Sequence, residues 1–386
     1  VARGLELVSA PVTQPLIHLI TDLPSLQRGL ASMSGRVAID TEFHSEHVYY
    51  PRLHLVQLRG EDGPALLIDP HAITDLRSIG KLLDGRTLLI HSASHDLSIL
   101  RRAVGLNPKP EEVVDPQILA GFVGLGFPRS LTDLSRELLG EELPPSSSMS
   151  DWSKRPLTDE QRRYAAMDVL HLHALTDALE RRLAGRPHHR WARACAAEIN
   201  SAALHGEDPE LLWRRIPGAA ILDGRGRAAL RALVIWREAT AIRNNQPRFQ
   251  IASDGSLLDV ARRAPTSLTE LSQNRRLPRR LAKDQADEVM AALHVAAALP
   301  EEALPPPVIT RGAAARADAI LAAWALIVEE REGIAAELLL PPDLRREIAV
   351  RWTRREAIVI PGWRSEAIGD ELRGVLAGQI GLFLRA

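Results

Sequence analysis

Four short apolar runs, each bounded by turn residues, lie within the first 95 residues: Arg36–Phe43 (RVAIDTEF), Leu53–Arg59 (LHLVQLR), Pro64–Asp69 (PALLID) and Thr87–His91 (TLLIH). Their length and their β-branched and leucine content predict strands, and the continuously apolar Thr87–His91 reads as a buried one. Helical patterns follow at about Ile73–Leu83, Asp96–Val104, Pro116–Phe122 and Leu131–Leu139. A further helix is expected from Thr158 to about Leu183, with Thr158 as N-cap and Gln161 completing a capping box. Strand and helix signals alternating in this way require a layered α/β domain around a mixed sheet. Leu143–Ser150 (LPPSSSMS) reads as an exposed loop.

From Leu211 onward the strand signals fade and Ala/Leu/Arg runs such as Ala228–Arg243 and Lys283–Ala298 predict helical bundles. The proline-rich Leu299–Pro307 marks a linker. The expected organisation is an α/β domain at 1–183, a helical connector at 184–210, a helical domain at 211–298, a linker at 299–308 and a second helical domain at 309–386. Charge follows the same divisions. Residues 1–180 carry 17 Lys+Arg against 24 Asp+Glu, residues 181–300 carry 20 against 12, and residues 301–386 carry 11 against 13. A basic module beside an acidic one suits a polyanion held near a cation-filled site. Arginine supplies nearly all the positive charge, which suits phosphate recognition and equally reflects a codon bias toward Arg and Ala. The single cysteine, Cys195, excludes an intrachain disulfide and a cysteine-cluster zinc site. No run approaches about 18 apolar residues, and the opening VARGLELVSA has no cationic start and apolar core, so neither a membrane span nor a secretory leader is expected and the cytoplasm is the expected location.

Three fragments carry candidate chemistry. Asp40-Thr41-Glu42 lies in a strand, so the two carboxylates share one face while Thr41 and Phe43 take the other. Two buried acids side by side repel and lose hydration, and a divalent cation is the economical compensation; a strand end with both acids in water is the bland alternative. Asp96 follows the buried strand at a strand-to-helix turn, where it is either a functional group or simply an N-cap. Tyr164 and Asp168 are four apart on a helix and project together, as a water-positioning pair or as a surface hydrogen bond.

The ordered set — D-x-E on a first long strand, D after a later strand, Y-x-x-x-D on a late helix — resembles the tyrosine-bearing branch of the DEDD exonucleases. Val37–Phe43 (VAIDTEF), Leu55–Leu58 (LVQL), Leu89–Asp96 (LIHSASHD), Asp115-Pro116-Gln117, Asp151–Leu157 (DWSKRPL) and Tyr164–Asp168 (YAAMD) all resemble the ribonuclease D family, over nearly all of residues 16–183. Trp236–Ala261 resembles the HRDC nucleic-acid-binding module, and residues 309–386 look like a divergent second copy. The departures are His95 where an aromatic residue is common and Ser92 where asparagine is common.

The resemblance implies a ribonuclease H-like exonuclease domain followed by two all-α HRDC-type domains. It implies 3′→5′ hydrolysis of RNA to nucleoside 5′-monophosphates with two divalent cations, Mg²⁺ or Mn²⁺. Asp40, Glu42, Asp96 and Asp168 would be the metal-holding acids and Tyr164 the residue that orients the attacking water. Thr41, Phe43, Gln57 and His91 would meet the terminal nucleotide, and Arg275, Arg276, Arg279 and Arg280, with Lys283, the upstream phosphates. The expected partner is RNA with a free 3′ end, such as a tRNA precursor, with no membrane and no nucleotide cofactor. A 3′→5′ DNA exonuclease, a catalytically silent nucleic-acid scaffold and a helicase accessory protein are the competing readings; no GxxxxGK[ST] loop is present for a helicase motor. Aromatics are 4% of the chain, and no run of them forms an obvious stacking platform for single strands.

Overall fold

The computed structural model describes residues 16–73, 75–144, 150–206, 208–274, 277, 284–305 and 312–381. Among them six strands form one sheet: β1 (Ile17–Ile20), β2 (Val37–His44), β3 (Arg52–Arg59), β4 (Ala65–Ile68), β5 (Leu88–Leu89) and β6 (Val113–Val114), in the spatial order β1-β4-β3-β2-β5-β6. β3 runs antiparallel to both β2 and β4; the remaining pairs are parallel. The mixed sheet is as expected. Strands β1 and β6 carry no legible signal in the sequence, β1 because its middle residues face solvent and β6 because it is two residues long.

Alternation along β2 sorts its side chains between two cores. Val37 and Ile39 join a layer built on α1 (Leu23–Ser32), α2 (Arg77–Leu83) and α3 (Ser94–Val104). Ala38 joins the opposite layer, which holds α4 (Pro116–Ala120), α5 (Leu131–Leu139), α6 (Asp159–Leu170), α7 (Leu172–Leu183) and α8 (Pro187–His205). The expected helix from Thr158 to Leu183 is two helices meeting at His171. The halves diverge because they serve different neighbours: α6 lies across β2, β3 and β4, while α7 packs on α4 and α5. Thr158 does cap α6, with the Gln161 side chain returning to the Thr158 backbone.

The rest of the described chain is helical. α9 (Pro209–Leu212), α10 (Gly224–Asn244), α11 (Arg248–Ile251), α12 (Asp254–Arg263), α13 (Leu268–Ser272) and α14 (Ala286–Ala297) enclose a third core around Trp213, Leu230, Leu233, Val260 and Leu271. α15 (Gly312–Glu332), α16 (Ala336–Leu339), α17 (Pro342–Thr353) and α18 (Trp363–Leu376) pack on one another around a core that runs on into the α/β part. Leu321, Trp324, Leu338, Leu339 and Leu372 belong to the same cluster as Leu134, Trp152 and Leu175 of the α/β part. Backbone contacts seal this join: Gly124 N donates to Gly333 O (2.9 Å) and Ala335 N to Gly121 O (2.7 Å). Gly333, at φ +69°, lies so near Gly124 that a Cβ there would stand 3.4 Å from the Gly124 nitrogen. Among the described residues no helix is long and apolar enough to cross a membrane.

Candidate active site

Strand β5 pairs with β2 only at Val37 and Ala38, so β2 runs on past its parallel neighbour and its last residues border an opening. Into that stretch the chain places Asp40 and Glu42, on the face covered by α6. One turn apart on α6, Tyr164 and Asp168 face the same place, and Ala165 and Ala166, both fully buried, let the helix lie close to the sheet. Ligand oxygens of Asp40, Glu42 and Asp168 all lie within 4.8 Å of one another.

Asp96 comes from the other side of the sheet. It sits in the first turn of α3, is 8% exposed, and accepts a hydrogen bond from the Thr41 hydroxyl. It stands outside the tight group of three, though near enough to repel Asp40, Glu42 and Asp168. Its position is set by Asp115, buried at the start of α4. The Asp115 carboxylate accepts from the backbone N–H groups of Ser92 (3.0 Å), Ala93 (3.0 Å) and Gln117 (2.9 Å), so one side chain caps α4 and pins the turn that launches α3. Sequence reasoning quoted Asp115 within a motif but gave it no part in the site. Its signal was the Asp-Pro-Gln start of a helix, which is an N-cap signature.

The electrostatics are those of acids lacking a counter-charge. Burial, then Asp168 and Asp96, pushes Glu42 up to about 9. Burial first, and the Asp96 charge after it, pushes Asp168 up to about 7 against the opposing hydrogen bond from Tyr164. Burial lifts Asp96 to about 6 despite its bond from Thr41. Asp40 is pushed well above the carboxylate range by burial and by all three other acids. The groups acting most strongly on the four are one another, Thr41, Gln57, Tyr164 and Asp115; none is a lysine or arginine. A hard, all-oxygen donor set of this kind fits Mg²⁺ or Mn²⁺.

The other expected site residues divide. Thr41 is tied to Asp96, and half-buried Phe43 lies just past a register shift between Glu42 and Phe43. Gln57 is fully buried on β3, and its amide donates to Glu42 (3.4 Å), so it braces a carboxylate inside the fold. His91 is likewise engaged internally, with the Arg129 backbone and beside Asp115, and burial lowers its pKa. Arg275, Arg276, Arg279, Arg280 and Lys283 lie outside the described residues.

Two features at this end of the sheet were not read from the sequence. A cleft of about 480 Å³ opens where β2 ends, walled by His44, His47, Arg52 and His54 on one side and by Ser150, Asp151 and Ser153 on the other. Its wall is fixed by Arg155, which forms two bonds with the Asp69 carboxylate (2.6 and 2.8 Å) and donates to the carbonyls of His54 (2.7 Å) and Trp152 (2.8 Å). This holds the Asp151–Leu157 segment against the ends of β3 and β4, with Trp152 fully buried beside the Tyr164 ring.

Comparison with known proteins agrees with this geometry. The sequence pattern of the 3′-5′ exonuclease family matches residues 18–184, and that of the HRDC domain matches residues 227–293. Ribonuclease D of Granulibacter bethesdensis is 30% identical over 351 residues, covering 89% of this chain and 88% of that one. Ribonuclease D of Pseudomonas paraeruginosa is 30% identical over 382 residues, covering 95% and 99%. The crystal structure of Escherichia coli RNase D, an exoribonuclease involved in structured RNA processing, superposes with a TM-score of 0.77 at 28% identity, over 94% of this chain and 99% of that one. With three carboxylates gathered on one sheet face, a fourth reaching toward them from the other side, the tyrosine beside them and helical modules following, the chain belongs to the ribonuclease D family and is a 3′→5′ exoribonuclease.

Proposed function

We propose that this exoribonuclease removes nucleoside 5′-monophosphates one at a time from RNA bearing a free 3′-hydroxyl, through Asp40, Glu42, Asp96, Asp168 and Tyr164 acting with two divalent cations. The observation that carries the reading is the gathering of Asp40, Glu42 and Asp168 within 4.8 Å in a buried place where, among the described residues, none of the strongest influences on Asp40 and Glu42 is a cation. Asp40, Glu42 and Asp168 would hold one cation, and Asp96, displaced toward Thr41, would serve the second together with Asp40. Bound there, the cations supply Lewis-acid activation of water and neutralise charge on the leaving oxygen.

The protein's own groups do the rest. The Tyr164 phenol, hydrogen-bonded to Asp168, orients the attacking water by hydrogen bonding. Gln57 fixes the Glu42 carboxylate, and Asp115 fixes the turn bearing Asp96. The backbone at Thr41–Glu42 and the Phe43 ring would meet the terminal nucleotide. The cleft at the His44 end of β2 is the opening through which an RNA end reaches the acids. Gln57 and His91 act as braces in this reading rather than as substrate contacts.

The chain divides for this work into the exonuclease unit at 1–183, a connector, an HRDC unit at 211–298 and a divergent HRDC-like unit at 309–386. Precursors of tRNA and other stable RNAs are the proposed substrates, in the cytoplasm, where the lone buried thiol of Cys195 stays reduced. The test is digestion of a 3′-hydroxyl RNA with Mg²⁺ by the parent and by Asp40→Asn. Stepwise shortening by the parent and loss of at least 100-fold in rate in the variant are expected. An EDTA-resistant activity, or equal rates for parent and variant, would remove the proposal. A matched DNA strand and a 3′-phosphate RNA, both expected to be degraded more slowly, test the sugar and end preferences.

A further inference from the structure

Phe249 is the exposed one among the described phenylalanines, with 67% of its surface open to water. It stands in a groove of about 420 Å³ on the first helical module, lined also by Arg215, Ile216, Arg237, Arg248 and Asp254. The base beneath the ring is rigid. Ile251, two residues on, is buried in the module's core, Arg237 donates to the Ala252 carbonyl (3.1 Å), and Arg248 forms two bonds with the buried Glu238 (2.6 and 2.7 Å). An aromatic ring held outward on a fixed turn offers a stacking face to a nucleobase. Arg237 is buried against Asp254, while Arg215 and Arg248, facing Asp343 and Glu238, stay part-exposed beside the ring, where phosphates of the same strand would meet them.

The groove also has a physical connection to the catalytic cleft. Tyr49 packs against the module's core, its hydroxyl donates to Glu238, and the Arg248 guanidinium lies over its ring, 5.7 Å from the centroid. The Tyr50 N–H donates to the Asn245 side chain (3.0 Å). Two residues before Tyr49, His47 walls the cleft that opens where β2 ends. Seven residues separate Glu42 from Tyr49, at most about 25 Å of extended chain. With the ring contact added, the acids and Arg248 are at most about 30 Å apart, a span of no more than roughly nine nucleotides even when stacked at about 3.4 Å each.

We infer that Phe249 is a base-stacking platform that captures single-stranded RNA several nucleotides upstream of the 3′ end being cut, with Arg215 and Arg248 on the neighbouring phosphates. This rests on the exoribonuclease reading of the carboxylate site, and it adds a specific anchoring surface to that reading. The ring does not touch the reacting atoms, so its effect appears in the binding of long substrates and not in the chemistry of short ones.

The test uses the full chain and two oligouridylates, of about four and about twelve nucleotides, the longer with 2-aminopurine placed eight or nine nucleotides from its 3′ end. In EDTA, Phe249→Ala is expected to weaken binding of the longer RNA about tenfold and to abolish the 2-aminopurine quenching seen with the parent. Phe249→Trp is expected to keep both within twofold. With Mg²⁺, all three proteins should cut the four-nucleotide RNA at rates within twofold. Affinity for the longer RNA and quenching both unchanged in Phe249→Ala would overturn the inference, even with cleavage intact. A parent that cuts neither RNA would sink the reading of the carboxylate site instead.

Discussion

Replacing Glu42 with glutamine is expected to make the metal-free protein more stable while removing its activity. Glu42 is 8% exposed, faces Asp40 and Asp168, and is pushed up to about 9 from an ordinary value of 4.5. At about pH 7.5 the unfolded chain carries this group ionised, whereas the metal-free folded chain must take up a proton. Each pH unit above the unfolded pKa costs about 1.4 kcal/mol, so the penalty at pH 7.5 is about 4 kcal/mol. The sign follows from the raised pKa: the penalty is absent below about pH 4.5, grows through the interval up to about 9, and is constant beyond. Glutamine has no such proton to take up and can still accept from Gln57. Urea denaturation of EDTA-stripped protein at about pH 5.5, 7 and 8.5 measures the effect. The parent should lose stability steadily as pH rises. The variant should lose less and exceed the parent by about 2–4 kcal/mol near pH 7.5, with some slope left from Asp40, Asp96 and Asp168. Millimolar Mg²⁺ should then stabilise the parent far more than the variant, because only the intact acids bind it well. Equal stability of the two at all three pH values, or a less stable variant at pH 8.5, would refute the argument that the acids strain the empty fold.

Three further outcomes follow. Tyr164→Phe should keep RNA affinity and thermal stability near the parent's while slowing single-turnover hydrolysis about 100-fold, because the ring stays beside Trp152 and only the hydroxyl is lost. Arg155→Ala should destabilise the protein by about 3–5 kcal/mol in urea denaturation, since it leaves the Asp69 carboxylate, 6% exposed, without its bidentate partner. Asp115→Ala should lower divalent-cation affinity about 10- to 100-fold in calorimetry, by releasing the turn that presents Asp96.

The parts of this design that the sequence displayed are those in which a local rule fixes a global position. Alternation along β2 put Asp40 and Glu42 on one face, and the four-residue spacing on α6 put Tyr164 with Asp168; neither depends on distant contacts. The chain order of the motifs then carried the family resemblance. What stayed hidden depends on tertiary neighbours. Nothing local says that β5 stops at Leu89, although that short end is what opens β2 for the acids. Nothing local distinguishes an Asp115 that caps one helix from one that also binds the turn before another. The break at His171 has no proline or glycine to announce it, because it arises from two halves of a helix meeting different partners. Gln57 and His91 showed the same limit: polar residues on strands look available for ligand, and the packed structure adds that Gln57 donates to Glu42 and that His91 meets the Arg129 backbone.

The join of α15–α18 to the helical layer on one face of the sheet has a consequence for how the protein comes into being. Leu339 and Leu372 complete the cluster that Leu134, Trp152 and Leu175 begin, so residues translated earlier wait on residues translated later. Until then the nascent chain carries an uncovered apolar patch around Gly121–Gly124, which is a surface for chaperones to hold and for aggregation to exploit. It also means that a ribosome stalled in the linker before α15 releases a strand-and-helix unit lacking part of its floor, rather than a finished nuclease ready to attack RNA.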